Sequence, residues 1–335
     1  MLKNRKKEVF MFKLGIIGTG SISHEFIKAA HSTGDYQLAA VYSRTLASAE
    51  RFVQNYENTA VYTEMLDFLS SDIDVVYIAS PNSLHFKHAK VAILARKHII
   101  VEKPAVSRPK EWRELVKLAD EHQVYLFEAA RNYHEQAFDT ISDFLKDKTV
   151  LGANFTYAKY SSKMQALLAG EQPNVFSAKF SGGALMDLGV YTVYAAIRLF
   201  GHPRFARYSA QQLANTIDLN GAGCLIYPDF QVQIQAGKNI NSNLPAEIYT
   251  DQGTLTLDGI EFISSAIFQC LDGQEEVLPI KRASHTMLEE AQAFARVLKG
   301  GQDAAYEKWL NAATAVHESL FAMRKDAGIR FEVDD

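Results

Sequence analysis

The chain has 335 residues, a formal net charge of −4, and 47% hydrophobic against 22% charged residues. That length implies more than one folded unit, and the composition excludes a mostly disordered or collagen-like polymer. The slight acidity argues against a nucleic-acid partner, and two distant cysteines, Cys224 and Cys270, fit neither a disulfide framework nor a zinc site, so a soluble cytoplasmic protein is expected.

Residues 1–12 carry Lys3, Arg5, Lys6 and Lys7 ahead of a short apolar run, without the long apolar segment or cleavage site of a signal peptide. They are expected to form a flexible extension. No later run approaches the ~20 apolar residues of a membrane-spanning helix, so no membrane role is expected. From Leu14 onward, compact apolar runs alternate with helical periodicity. The runs end at Gly18, Tyr42, Tyr62, Ala79, Val101 and Phe127, and helices are expected over 22–30, 47–55, 85–95 and 111–123. Such alternation implies βαβ units and a doubly wound parallel sheet, a Rossmann-type domain over 13–128.

After about residue 148 the style changes. Strand-like runs at 150–160, 205–212, 221–227, 231–236, 247–250, 253–257 and 262–270 are separated by turn signals such as Asp258-Gly259 and Asp272-Gly273. They predict an α+β domain over 129–330 with a large open, mainly antiparallel sheet. Two helices, 286–299 and 303–325, close the chain, with the C-terminal segment packing back on the first domain.

Gly18-Thr19-Gly20-Ser21-Ile22-Ser23 lies between the first strand and the first helix. Gly18 permits the tight turn, and Gly20 lets the backbone approach a pyrophosphate at the helix N-terminus, which makes this a dinucleotide site. An NAD site places an acid about 20 residues further on, to bond the ribose 2′-hydroxyl. Here Val41-Tyr42-Ser43-Arg44-Thr45 has none, and Ser43 with Arg44 suits a 2′-phosphate. NADP is therefore the expected cofactor, with NAD possible.

In open parallel sheets, ligands bind outside the carboxyl ends of the strands. Ser80-Pro81-Asn82, with His85 a turn later, follows one such end, and Glu102-Lys103-Pro104 follows the next. A lysine leaving a buried strand, Lys103, can stabilise alkoxide charge on a carbonyl beside the nicotinamide, although pairing with Glu102 or with an exposed carboxylate explains it equally well. In Gly182-Gly183-Ala184-Leu185-Met186-Asp187-Leu188-Gly189-Val190-Tyr191, Asp187 and Tyr191 stand four apart on one helix face. An acid and a phenol so placed can form a proton-transfer pair. On these residues alone, an acid complementing the helix dipole and a buried tyrosine remain the simpler reading. His85 and His88 have the spacing of helical metal ligands, but no second cluster completes a site, and no metal is expected; His88 is expected to be solvated. Aromatic strands such as Phe155-Thr156-Tyr157 are expected in the core or at a subunit contact.

Taken together, Gly18-x-Gly20, Pro81-Asn82-x-x-His85, Glu102-Lys103-Pro104 and the 182–191 segment resemble the Gfo/Idh/MocA family of NAD(P)-dependent oxidoreductases, over nearly the whole chain from Lys13 to about Arg330. The resemblance implies a catalytic Lys103, an acid/base pair at Asp187 and Tyr191, and His85 near the nicotinamide. It also implies a carbohydrate-like substrate and dimers or tetramers formed through the second sheet. Tyrosine at 191 in place of histidine is similar to the dihydrodiol dehydrogenase and glucose–fructose oxidoreductase branch, whose members favour NADP(H). One stretch departs from that branch: Glu128-Ala129-Ala130-Arg131-Asn132-Tyr133 lacks its aromatic run and its arginine ahead of a proline. The implied activity is hydride transfer to or from a secondary alcohol or carbonyl of a sugar, cyclitol or vicinal diol. A catalytically silent NAD(P)-sensing regulator of the same fold is the alternative, and a pure sensor has no need of Lys103, Asp187 and Tyr191 together.

Overall fold

A computed structural model describes residues 11–300 and 304–334. Most of the expected extension lies outside the described residues, but Phe12 is part of the fold: it opens the first strand.

Six parallel strands form the first sheet: β1 (Phe12–Ile17), β2 (Tyr36–Tyr42), β3 (Ala60–Tyr62), β4 (Val75–Ile78), β5 (His98–Glu102) and β6 (Leu126–Ala129). Their spatial order is β3-β2-β1-β4-β5-β6. Helices α1 (Ser21–Thr33), α2 (Leu46–Val53), α3 (Met65–Ser70), α4 (Asn82–Leu94) and α5 (Pro109–Glu121) connect them. All four residues of β4 are buried, as a strand covered on both faces requires. Alternate residues serve two cores: Val75 and Tyr77 pack with Phe26 and Ile27 of α1, while Val76 and Ile78 pack with Ala89 and Ile93 of α4 and Leu115 of α5. The strand order reverses between β1 and β4, which opens a crevice at their carboxyl ends.

Helix α6 (Gln136–Phe144) leads to the second sheet. Its strands are β7 (Val150–Ala158), β8 (Phe205–Gln212), β9 (Asp218–Ile226), β10 (Gln231–Gly237), β11 (Ala246–Thr250), β12 (Gly253–Leu257), β13 (Ala266–Cys270) and β14 (Glu275–Val277). The order is β14-β13-β12-β11-β7-β10-β9-β8. Every neighbouring pair is antiparallel except β7 and β10, which run parallel. Those two strands are separated in the chain by α7 (Met164–Leu168), α8 (Val190–Phe200) and the β8–β9 hairpin, so no tight turn dictates their direction. β11 and β12 alternate buried and half-buried residues, as expected of a sheet with one covered face. The two closing helices are α9 (Leu288–Gly300) and α10 (Ala304–Asp326). α9 returns to the first sheet, where Phe294 stacks on Phe127 at 4.7 Å.

Three sequence expectations need correction. The strand expected over 262–270 begins only at Ala266, and the fully exposed edge strand β14 and short helices α3 and α6 were not foreseen. Such short elements carry too few periodic positions to stand out. The run Ala178–Phe200 is long and apolar enough to cross a membrane by length and composition, and 78% of its apolar window is buried inside the protein. Its apolarity is therefore explained by its place in the core. His88 is not solvated: it is half-buried against the Ser80 hydroxyl at 2.9 Å, and burial lowers its pKa to about 4.

Candidate active site

Gly18 leaves β1 with φ +108, and a side chain there would put Cβ 2.5 Å from the Ala79 carbonyl oxygen at the end of β4. Only glycine allows this close approach of two strand ends. The Ser23 hydroxyl donates to the Gly18 carbonyl at 2.8 Å and pins the loop. Gly20 is the N-cap of α1; no side chain caps the helix, no acid lies in its first turn, and a Cβ at Gly20 would meet open space. The uncapped amides and the clear approach fit a pyrophosphate. Thr19 is half-buried, and Ser21 and Ile22 are exposed beside the loop. At the end of β2, the Ser43 amide donates to the Tyr62 carbonyl. Arg44 is exposed and makes no ion pair among the described residues, so its guanidinium is available to an anion.

Beyond β4, Ser80, Pro81 and Asn82 are half-buried at the crevice. The Asn82 amide donates to the Ser181 carbonyl at 3.0 Å, tying the crevice to the approach of the glycine-rich segment. His85 follows in the first turn of α4. It is buried, with Nδ1 3.0 Å from the Pro104 carbonyl and Nε2 2.6 Å from the Ser80 carbonyl. Burial lowers the His85 pKa, and a neutral ring carries one N–H, so His85 lies between the Ser80 and Pro104 carbonyls and donates to one of them. Glu102 is buried beneath the crevice, where Tyr77 donates to its carboxylate and the Lys103 amide donates at 3.2 Å. Burial raises its pKa against the pull of Lys103.

Lys103 points across the crevice to the glycine-rich segment. Its ammonium donates to the Asp187 carbonyl at 2.9 Å and to the Asp187 carboxylate at 3.2 Å, and lies 4.7 Å from the centroid of the Tyr191 ring. Gly183, at φ +118, makes room for the buried Asp218 carboxylate, which accepts from the Leu185 amide at 2.7 Å and so caps the helix start. The helix then begins in a π-turn over Leu185–Gly189 before α8 takes over. No side-chain hydrogen bond joins Asp187 to Tyr191 among the described residues, and Lys103 contacts both.

Sequence reasoning missed three neighbours of these residues. Lys238, buried just beyond β10, forms an ion pair with the second carboxylate oxygen of Asp187. Arg131 donates from Nε to the Tyr191 hydroxyl at 3.4 Å. Tyr157, expected in the core or at a subunit contact, is half-buried with its ring edge-on to Tyr191 at 5.4 Å. Lys238 did have a signal, since it leaves a buried strand end just as Lys103 does.

The electrostatics follow from this packing. Burial works against the Lys103 ammonium, but Tyr191, Asp187 and Glu102 outweigh it and raise its pKa. Burial likewise opposes the Asp187 carboxylate, yet Lys103 and Lys238 hold it well below the usual carboxylate range. Burial, with Glu261 and Tyr191 nearby, pushes the Tyr157 hydroxyl up to about 12. The site therefore presents two lysines sharing one carboxylate beside a tyrosine. An ammonium has three donor hydrogens, and Lys103 uses two of them on Asp187. One is left for a substrate oxygen. Among the described residues, no group of three or more His, Cys, Asp or Glu side chains is placed to hold a metal.

A dinucleotide crevice lined by lysine, aspartate and tyrosine defines a class of nicotinamide-dependent oxidoreductases. A family model described as "Oxidoreductase family, NAD-binding Rossmann fold" matches residues 12–130. An uncharacterized oxidoreductase YgjR of Escherichia coli is 34% identical, over 97% of this chain and 99% of its own. The scyllo-inositol 2-dehydrogenase (NADP(+)) IolU of Bacillus subtilis is 32% identical over the same shares. Among solved structures, KijD10, a 3-ketoreductase of Actinomadura kijaniata in complex with NADP and TDP-benzene, shares the fold at a TM-score of 0.81 and 20% identity, over 95% of this chain and 98% of its own. The chain belongs to the Gfo/Idh/MocA oxidoreductase family.

Proposed function

We propose that this protein is an NADP(H)-dependent oxidoreductase that interconverts a secondary alcohol and a carbonyl on a sugar or cyclitol. The observation that carries the reading is the convergence of Lys103, Asp187 and Tyr191 at the carboxyl end of β5, in the parallel sheet whose first strand ends in the Gly18–Gly20 loop. Gly18, Thr19, Gly20, Ser21 and Ile22 would hold the pyrophosphate, and Ser43 with Arg44 the 2′-phosphate. Ser80, Pro81 and Asn82, with Glu102 beneath, line the crevice toward Lys103. When bound there, the nicotinamide supplies two-electron hydride chemistry.

The chain's own groups manage the oxygen. In the reducing direction Lys103 polarises the substrate carbonyl with its remaining donor hydrogen, and the Tyr191 hydroxyl gives that oxygen its proton. In oxidation the same groups act in reverse. Asp187 touches both ammoniums and holds Lys103 at a fixed angle, with Lys238 steadying the far carboxylate oxygen. This assignment rests on geometry, on the family, and on the scyllo-inositol dehydrogenase relative, whose substrate is a cyclitol. No feature of the site favours the silent sensor. Exposed Leu151, Phe205, Ile267 and Val277 on the second sheet support a homo-oligomer formed through that sheet.

The test is spectrophotometric. Purified protein is given NADP+ or NAD+ with a panel of inositols, pyranoses and trans-diols, and NADPH with the matching ketones. Turnover of at least one cyclitol or sugar, faster with the phosphorylated cofactor, is expected. Silence across the panel despite tight NADPH binding would overturn the reading in favour of a sensor.

A further inference from the structure

Arg131 stands at the point where the chain departs from the branch it resembles. It opens the short turn Arg131–His134 after β6, and its one hydrogen bond among the described residues goes to the Tyr191 hydroxyl. Its guanidinium carbon lies 5.2 Å from the Tyr191 ring centroid, so this ring is addressed by two cations, Arg131 and Lys103. The turn is bolted to Tyr191 as well. The buried Asn132 amide donates to the Tyr191 carbonyl at 3.0 Å and to the Ile260 carbonyl at 3.1 Å, which fixes the distance between the arginine and the phenol.

Arg131 differs from the other largely buried arginines. Arg108, Arg198 and Arg324 are paired with Glu111, Asp139 and Asp334. Arg131 forms no ion pair among the described residues, and its Nη1 is buried without a hydrogen-bond partner. The carboxyls whose fields reach it do not neutralise it. Burial pushes Glu135 up to about 8 and raises Glu290, while the Glu102 carboxylate is taken up by Tyr77 and the Lys103 amide. The positive charge of Arg131 is thus left facing the phenol.

We propose that Arg131 is the positioning residue of Tyr191: it holds the hydroxyl in place and stabilises the negative charge left on its oxygen when the proton passes to the substrate. The O–H bond of Tyr191 breaks, an O–H bond forms on the substrate oxygen, and the phenolate remains beside the guanidinium. This rests on the reading of Tyr191 as proton donor given above.

The experiment compares wild type, Arg131→Met, Arg131→Gln, Arg131→Lys, Tyr191→Phe and Arg131→Met/Tyr191→Phe. Two readouts are used: turnover of scyllo-inositol with NADP+, and the NMR signal of isotope-labelled tyrosine Cζ, with Tyr191 assigned by its loss in Tyr191→Phe. Arg131→Met is expected to lower kcat by roughly 10-fold to 100-fold with KM changed less than about threefold, a fraction of a full acid/base contribution. Arg131→Lys should recover part of the loss, and the double variant should be no slower than Tyr191→Phe. The Tyr191 signal should move in Arg131→Met, or in Arg131→Gln if the methionine variant does not fold. An unmoved Tyr191 signal in a folded variant, or wild-type kcat in Arg131→Met beside an inactive Tyr191→Phe, overturns the proposal. If Tyr191→Phe itself turns over normally, the proton-donor assignment fails, and the NMR shift alone decides whether Arg131 holds the hydroxyl.

Discussion

The ammonium of Lys103 bonds to Asp187 twice, to its backbone carbonyl at 2.9 Å and to its carboxylate at 3.2 Å. One residue leaving the first sheet is thereby locked to the first turn of the glycine-rich helix in the second unit. The same contact closes the crevice and aims the remaining ammonium hydrogen. Removing the charge should leave the dinucleotide loop intact. Lys103→Met is expected to cut turnover by about 10²-fold to 10³-fold while the Kd for NADPH, read by fluorescence, stays within about threefold. Unchanged turnover would remove Lys103 from the chemistry.

Asp187 holds a second ammonium, that of the buried Lys238. Lys238→Met leaves the carboxylate free to rotate about its remaining bond to Lys103. Misplacing a catalytic group by about 1 Å costs on the order of 10² in rate, so kcat should fall toward that extent with KM for the alcohol less affected. A variant with wild-type kcat would make Lys238 a bystander.

The two loop glycines should fail in different ways. Gly18→Ala combines a positive φ of +108 with a Cβ 2.5 Å from the Ala79 carbonyl oxygen. It is expected to destabilise the fold by about 1–3 kcal/mol, read as a lower denaturant midpoint. A Cβ at Gly20 meets nothing within 4 Å, so Gly20→Ala should unfold like wild type yet bind NADP+ about tenfold more weakly. Equal midpoints for both variants would contradict the difference in packing.

Arg44 is exposed without an ion pair among the described residues. Losing a charge-assisted bond to a 2′-phosphate costs about 1.5–3 kcal/mol, or roughly 10-fold to 100-fold in affinity. Arg44→Ser is therefore expected to weaken NADP+ to that extent and leave NAD+ binding unchanged, as titration calorimetry would record. Equal weakening of both cofactors would assign Arg44 another role.

Burial pushes the Glu135 carboxyl from 4.5 up to about 8, against the Ile263 amide and Arg131, which favour its charged form. Between those two values the native protein retains a proton that the unfolded chain has released. Native stability therefore falls as pH rises through that window and levels off above it. Glu135→Gln removes this contribution, so its Tm should decline less than that of wild type between about pH 5 and pH 8. Parallel curves would show that Glu135 titrates normally.

Much of the fold was legible because its determinants are local. Apolar runs such as Val75–Ile78, and the turn signals between later strands, specify the two sheets one element at a time. The parallel pairing of β7 with β10 was not legible, since the two strands meet across about 70 intervening residues and no turn chemistry records the encounter. The exposed β14 lacks a buried face and so leaves no alternation to read.

The sequence by itself determined the Gly18–Gly20 loop, the absence of an acid after β2, and the lysine, aspartate and tyrosine of the site. The residue types of the loop already imply its chemistry, whereas Lys103, Asp187 and Tyr191 were singled out by the family resemblance, since those residue types fit structural roles as well. Tertiary structure decided how they are connected. It placed Lys238 on Asp187 and Arg131 on Tyr191, set His85 between the Ser80 and Pro104 carbonyls, and interposed Lys103 where an acid–phenol pair was expected. Those contacts join residues up to 84 positions apart, and what holds them is hydrogen bonding and charge attraction at the meeting of two sheets. Neither force leaves a periodic trace along the chain.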